Sequence, residues 1–193
     1  MGSSTPHAPE WDAEIDIAER LAIIPPHVTT KGLFFSALAD QIEAAGRPRP
    51  PGRWVAFSNY PVTPYVELLV DCARARFPDL PLGRALRAVG HTAYPTFVKT
   101  TVGKVIFAFA GKDPKAALRL APRAYATVGA GTSRVTLEEG EGVDVLHMHD
   151  VYSFAEYHEV GVIEGGIREF GGEVDVKVLR VADDYVQLHV IWR

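Results

Sequence analysis

Residues 135–192 read VTLEEGEGVDVLHMHDVYSFAEYHEVGVIEGGIREFGGEVDVKVLRVADDYVQLHVIW, and this stretch decides the fold. Val135–Glu139 and Val143–Val151 are rich in β-branched residues and are joined by Gly140, Glu141 and Gly142, which reads as a hairpin. Ser153 and Glu156 stand at capping-box spacing ahead of a helix that runs to Phe170, with Gly171 and Gly172 past its end. Val174, Val176 and Val178 then alternate with Asp175 and Lys177, an Ala-Asp-Asp turn follows, and Tyr185–Trp192 alternates again. The order β, β, α, β, β predicts a four-stranded antiparallel sheet backed by its own helix over residues 134–193.

On that helix Val160, Ile163, Ile167 and Phe170 form an apolar stripe, with Gly161 and Gly165 one turn apart on a neighbouring face. A glycine inside a helix costs about 1 kcal/mol relative to alanine, so something must approach the backbone closely there. Either another element packs on the glycines, or a ligand lies along the groove.

Upstream the spacing is helical. KGLFFSALADQIEAAG (31–46) places Phe34, Ala37, Leu38 and Ile42 on one face before the stop at Gly46, and RPRPPGR (47–53) breaks the chain as a linker or long loop. Thr63-Pro64 reads as a cap before a helix lined by Tyr65, Leu68, Leu69, Cys72 and Phe77 and ended by Pro78. Leu82, Leu86 and Val89 predict a short helix stopped by Gly90, and Pro95 opens another through Val98, Val102, Val105, Ile106 and Phe109. Asp113-Pro114 repeats the capped start, with Pro122 ending or kinking that helix. The expected class is therefore α+β: a layer of short helices to about residue 128, then the sheet half, as one domain over residues 18–193 behind a flexible leader at 1–17.

Composition bounds the function. A chain of 193 residues that is 47% hydrophobic can build its own core, and a net charge of −4 supplies no basic field for nucleic acid. One cysteine, Cys72, excludes a disulfide framework and a cysteine-based zinc site and favours a reducing cytoplasm. The longest apolar run, Val105–Ala110, is far short of the roughly 20 residues of a membrane span, and the N-terminus lacks a secretory pattern. There is no GxSxG elbow or HExxH pair, and GAGTS (129–133) lacks the context of a phosphate loop.

KGLFFSAL, the block FPDLPLGRALRAVGHTAYPTFVKTTVGK, and the closing VGVIEGGIREFGG to VIWR resemble a set of paralogous domains of unknown function expanded in myxobacteria, over about residues 28–193. The architecture also resembles the haem nitric-oxide-binding sensors and the vinyl-reductase-type small-molecule-binding domains. That resemblance implies a ligand held between the helices and the sheet half. It would also imply a proximal histidine on the helix before the sheet and a spaced tyrosine-serine-arginine signature. Here KAALRLAPRAYATV (115–128) has no histidine, Tyr152 and Ser153 are adjacent, and no arginine follows at the matching offset. The haem-coordinating residues are not carried over, and a haem iron would need another axial ligand.

The residues expected to contact a small apolar or amphipathic molecule are Tyr94, Phe97, Tyr125, Tyr152, Tyr157, His158, Gly161 and Gly165. No cofactor is predicted, and a haem or a divalent metal is the alternative. His147 and His149 share one face of a strand, and His189 on a later strand would complete a metal triad if it converges, with Asp144 and Asp150 turned to water on the opposite face. Lys112, Arg119 and Arg123 form either an anion site or a solvated basic face. The leading reading is a non-enzymatic, sensor-like binding domain read out by a partner protein or a second copy. A metal- or haem-dependent protein and a ligand-free interaction module are the alternatives.

Overall fold

Helical periodicity before residue 129 and alternation after residue 133 set the two halves of the chain. The computed structural model describes residues 5–98, 100–108, 110–128 and 133–193. In chain order the first half holds α1 (Ile17–Ala22), β1 (Thr29–Lys31), α2 (Gly32–Ala44), β2 (Asn59–Pro61), α3 (Val62–Arg76), α4 (Leu82–Val98), α5 (Thr101–Phe107), α6 (Pro114–Arg119) and α7 (Ala121–Val128). The second holds β3 (Arg134–Glu138), β4 (Val143–His149), a π-helical turn (Ala155–Glu159), α8 (Val160–Glu169), β5 (Val174–Ala182) and β6 (Tyr185–Trp192). The four later strands form one antiparallel sheet in the order β3-β4-β6-β5, so the expected α+β architecture is present.

Several boundaries differ from their sequence signals, each for a tertiary reason. β1 pairs with β2, Thr29 opposite Pro61, and this short ribbon starts both α2 and α3. Val62 N–H donates to the Val28 carbonyl at 3.0 Å, so α3 begins one residue before Thr63, whose hydroxyl is not its cap. α4 is one helix of 17 residues that runs through both Gly90 and Pro95, where the sequence suggested two. Gly90 does not stop the helix because it lies beneath α8, where a β-carbon would come 2.9 Å from the Val162 nitrogen. Asp113 does cap α6, accepting from Lys115 N–H at 2.9 Å, and the chain breaks at Leu120 before α7 opens at Ala121, with Pro122 in its first turn. Phe109 and residues 129–132 of the GAGTS turn lie outside the described residues.

Two large apolar clusters meet at α4 and α8. One gathers α2, α3 and α4 around Phe35, Leu69, Leu86 and Val89. The other gathers the inner face of the sheet, Leu146, Met148, Leu188 and Val190, under Val160, Ile163 and Ile167 of α8. The segment expected as a loose leader is in contact from His7 on. His7 and Val178 exchange backbone hydrogen bonds at 3.0 and 2.7 Å on the β5 edge, Trp11 packs against both clusters, and Asp12 pairs with Arg84. Arg49 in the RPRPPGR segment pairs with Asp40 and Glu43 on the surface, and Arg119 pairs with Glu139, also on the surface.

Candidate functional site

The chain between β4 and α8 is the least regular part of the sheet half, and the site is built on it. Asp150 and Phe154 both have φ of 56°, a left-handed conformation that costs a non-glycine residue of order 1–3 kcal/mol. Tyr157 and His158 N–H both donate to the Phe154 carbonyl at 2.8 Å and open the π-helical turn, a form that recurs at functional sites. The expected capping box is absent. Ser153 Oγ instead donates to Glu159 at 2.6 Å, and Glu156 is drawn aside by Arg20 and by Arg180, the latter at 3.2 Å.

Glu159 is the centre of a buried polar cluster. Its carboxylate accepts from the Tyr125 hydroxyl of α7, from Ser153 Oγ, and from Nδ1 of His158 at 3.0 Å. Burial alone would push the carboxyl up, but the adjoining His158 ring and the hydrogen bonds from His158, Ser153 and Tyr125 outweigh it and hold it below its ordinary value. An ionised carboxylate accepts only, so the three donors are committed to it. Burial and the Glu159 charge push Tyr125 well above the usual phenol range, and burial followed by Glu159 does the same to Tyr65.

This cluster forms one wall of an apolar cavity of about 150 Å³. α2, α3, α4, α5, α7 and α8 enclose it, with Phe34, Val62, Phe97, Phe107, Ala124 and Ile163 among its apolar walls. On the sheet side, among the described residues, only Ser133, just before β3, and Asp150–Ser153, just after β4, reach it. The cavity therefore sits at the end of the sheet and not on its face, because α8 side chains fill that face. A second space of about 280 Å³ between α2, α3 and α4 shares Phe34, Tyr65, Ala93, Phe97 and His158 with the first, so these five side chains divide the two. The Tyr94 hydroxyl is buried with no hydrogen-bond partner among the described residues, on the wall of the first.

Of the expected contact residues, Tyr94, Phe97, Tyr125, Tyr152 and His158 line this cavity. Tyr157 does not. It points away, beneath Trp11 with ring centroids 6.2 Å apart. Gly161 and Gly165 do not line it either, because the backbone of α4 occupies the groove. A β-carbon on Gly165 would lie 2.6 Å from the His91 carbonyl oxygen, and one on Gly161 would lie 2.9 Å from the Arg87 carbonyl carbon. The packing reading of these glycines is the correct one. Below them Glu164, buried between the helices, takes a two-point bond from Arg87 at 2.7 and 2.9 Å and one from His91 at 2.8 Å.

The three strand histidines share the outer face of the sheet without forming a metal site. His147 Nδ1 bonds the Tyr185 hydroxyl at 2.8 Å, His149 stacks on the Tyr185 ring at 4.1 Å, and His189 Nε2 meets Gln187 at 3.2 Å. Burial and the neighbouring His147 lower the affinity of His189 for a proton. Among the described residues no group of three His, Cys, Asp or Glu side chains could hold a metal ion. Asp144 is on the inner face, as alternation requires, but it is buried and accepts from Trp192 Nε1 at 2.7 Å and from Gly140 N–H at 3.1 Å where water was expected. Cys72 is buried on α3, and burial pushes its thiol up to about 11, which makes it a core residue.

The helical layer and the β-β-α-β-β half of this chain are similar in fold to solved H-NOX proteins. A mutant H-NOX protein from S. oneidensis in the Fe(II) state superposes with a TM-score of 0.64 at 11% identity, covering 84% of this chain and 96% of that one. A variant of the K. algicida Fe(II) unliganded H-NOX protein gives 0.59 at 14% identity over 84% and 96%, and the S. oneidensis Fe(II)NO form gives 0.61 at 11% over 84% and 99%. The chain belongs to the DUF2378 family of proteins of unknown function, whose profile matches residues 24–193. No curated protein matches the chain. Among the described residues no helix is long and apolar enough to cross a membrane.

Sequence reasoning missed Tyr65, Phe34 and Glu159. Tyr65 and Phe34 look like core positions of two helices. Glu159 gave one signal, its place beside His158 on the apolar side of a helix.

Proposed function

We propose that this chain is a non-enzymatic, sensor-like domain that holds a small apolar or amphipathic molecule in the cavity beside Glu159. The observation that carries the reading is the Tyr94 hydroxyl, buried on an apolar cavity wall without a protein partner. A polar group in that position costs free energy unless something in the cavity bonds it. Apolar walls with a few convergent polar groups are the usual form of a small-molecule site, and an apolar cavity of about 150 Å³ accommodates benzene in another protein. A partner protein or a second copy would read the bound state through the π-helical turn, which Arg20 and Arg180 tie to α1 and β5.

The solved relatives include Fe(II) and Fe(II)NO states and a study of haem distortion, so haem must be tested against these residues. It does not fit. The space of about 150 Å³ is below the roughly 300 Å³ at which pockets for larger ligands begin. Haem propionates also need cations, whereas the described lining residues include Asp150 and Glu159 and neither Lys nor Arg.

Native mass spectrometry and calorimetry with indole test the reading. One-to-one, saturable binding is expected in the wild type and its loss in Ala124→Phe, which fills the cavity, with the circular dichroism unchanged. Absence of binding by indole and by any co-purified molecule overturns it.

A further inference from the structure

The polar groups on the cavity wall restrict what the cavity can hold. His158 is 4% exposed, and its Nδ1 faces the Glu159 carboxylate at 3.0 Å. With Glu159 ionised, Nδ1 carries the proton of that bond, and Nε2 is the ring nitrogen left to a ligand, an acceptor in the tautomer with its one proton on Nδ1. Nε2 has no hydrogen-bond partner among the described residues, and His158 lines both cavities. The Tyr65 hydroxyl is likewise without a hydrogen-bond partner among them and lines both. Tyr94 adds a third unpaired group. The wall thus presents one acceptor and two phenol hydroxyls, while Asp150 and Glu159 give it negative charge with neither Lys nor Arg among its described residues.

We propose that the cavity selects an uncharged, single-ring-sized molecule carrying a hydroxyl or ring N–H, which donates to Nε2 of His158, and that it rejects carboxylates. A hydroxyl suits the wall best, since it donates to the imidazole while its lone pairs remain open to a phenol hydroxyl. This inference rests on the cavity being a ligand site and adds the chemistry of the ligand.

Calorimetric titration of the full chain at pH 8 with phenol, toluene and benzoate tests it. Phenol is expected to bind about tenfold more tightly than toluene, the value of one net hydrogen bond, with benzoate weakest. In His158→Leu the advantage of phenol over toluene should vanish while toluene still binds. If that variant does not fold, ¹⁵N imidazole shifts of the wild type take its place: Nε2 should read as unprotonated and move on addition of phenol but not of toluene. Equal binding of phenol and toluene, or tight binding of benzoate, overturns the inference and leaves the cavity as a site. Failure of all three compounds and of indole overturns both.

Discussion

Replacing Gly161 or Gly165 with alanine adds one methyl group where α4 and α8 cross, and the outcome can be worked from the spacing. At Gly165 the new carbon would stand 2.6 Å from the His91 carbonyl oxygen, against 3.4 Å where ordinary contact begins, so the helices must part by about 0.8 Å. The Gly161 site is tighter, with the added carbon 2.9 Å from the Arg87 carbonyl carbon and its oxygen closer still. The obstacle in each case is backbone, which cannot rotate away as a side chain would. Overpacking of this kind costs about 1–3 kcal/mol, and the gain in helix propensity returns up to about 1 kcal/mol. The expected net loss is about 1 kcal/mol for Gly165→Ala and about 2 kcal/mol for Gly161→Ala. For a chain of this length the larger value lowers Tm by about 4–8 °C. Urea and thermal unfolding followed by circular dichroism measure both. If either variant matches or exceeds the wild type, α4 and α8 do not touch there, and the glycines need another explanation.

Further outcomes follow from the same structure. Glu159 and Glu164 both have folded-state values below the ordinary carboxyl range, so the stability they lend is present above about pH 4.5 and is lost as pH falls through their lowered values. Acid unfolding should therefore be shallower in Glu159→Gln. The same variant should lose about 1–3 kcal/mol at pH 7, because its donors are left with a weaker acceptor. Tyr94→Phe removes an unpartnered hydroxyl and should leave the ligand-free chain as stable as wild type or up to about 1 kcal/mol more so, read by urea midpoint. Trp11→Ala strips the half-buried ring that touches both clusters and the Arg87 guanidinium at 4.8 Å, and should cost about 2 kcal/mol by the same measurement.

The sheet half was legible because its signals are local. Alternation at Val174–Val178 and Tyr185–Trp192 and the Gly140–Gly142 turn each act within a few residues, and the strands lie where those signals place them. Punctuation failed where a distant element overruled it. Gly90 and Pro95 read as a stop and a start, yet α4 runs through both, with α8 packed on it at Gly90. Ser153 and Glu156 have capping-box spacing, but each finds a stronger partner from another element, Glu159 for one and Arg20 with Arg180 for the other. The candidate site was legible in part. Aromatic content pointed to Tyr94, Phe97 and Tyr125, whereas nothing local told Tyr157, under Trp11, from Tyr152, on the cavity wall.

By itself the sequence determined the α+β class, the strand and helix order of its second half, and the glycines at which something must approach the backbone closely. Each of these depends on backbone geometry and side-chain periodicity over a few residues, which the chain carries wherever it lies. The tertiary structure alone decided that the glycine groove is filled by α4, that the three histidines face outward, and that Tyr125, Ser153 and His158 converge on Glu159. Those facts depend on which residues far apart in sequence become neighbours. A buried carboxylate and its three donors are brought together only when α7, the β4–α8 connection and the π-helical turn have packed.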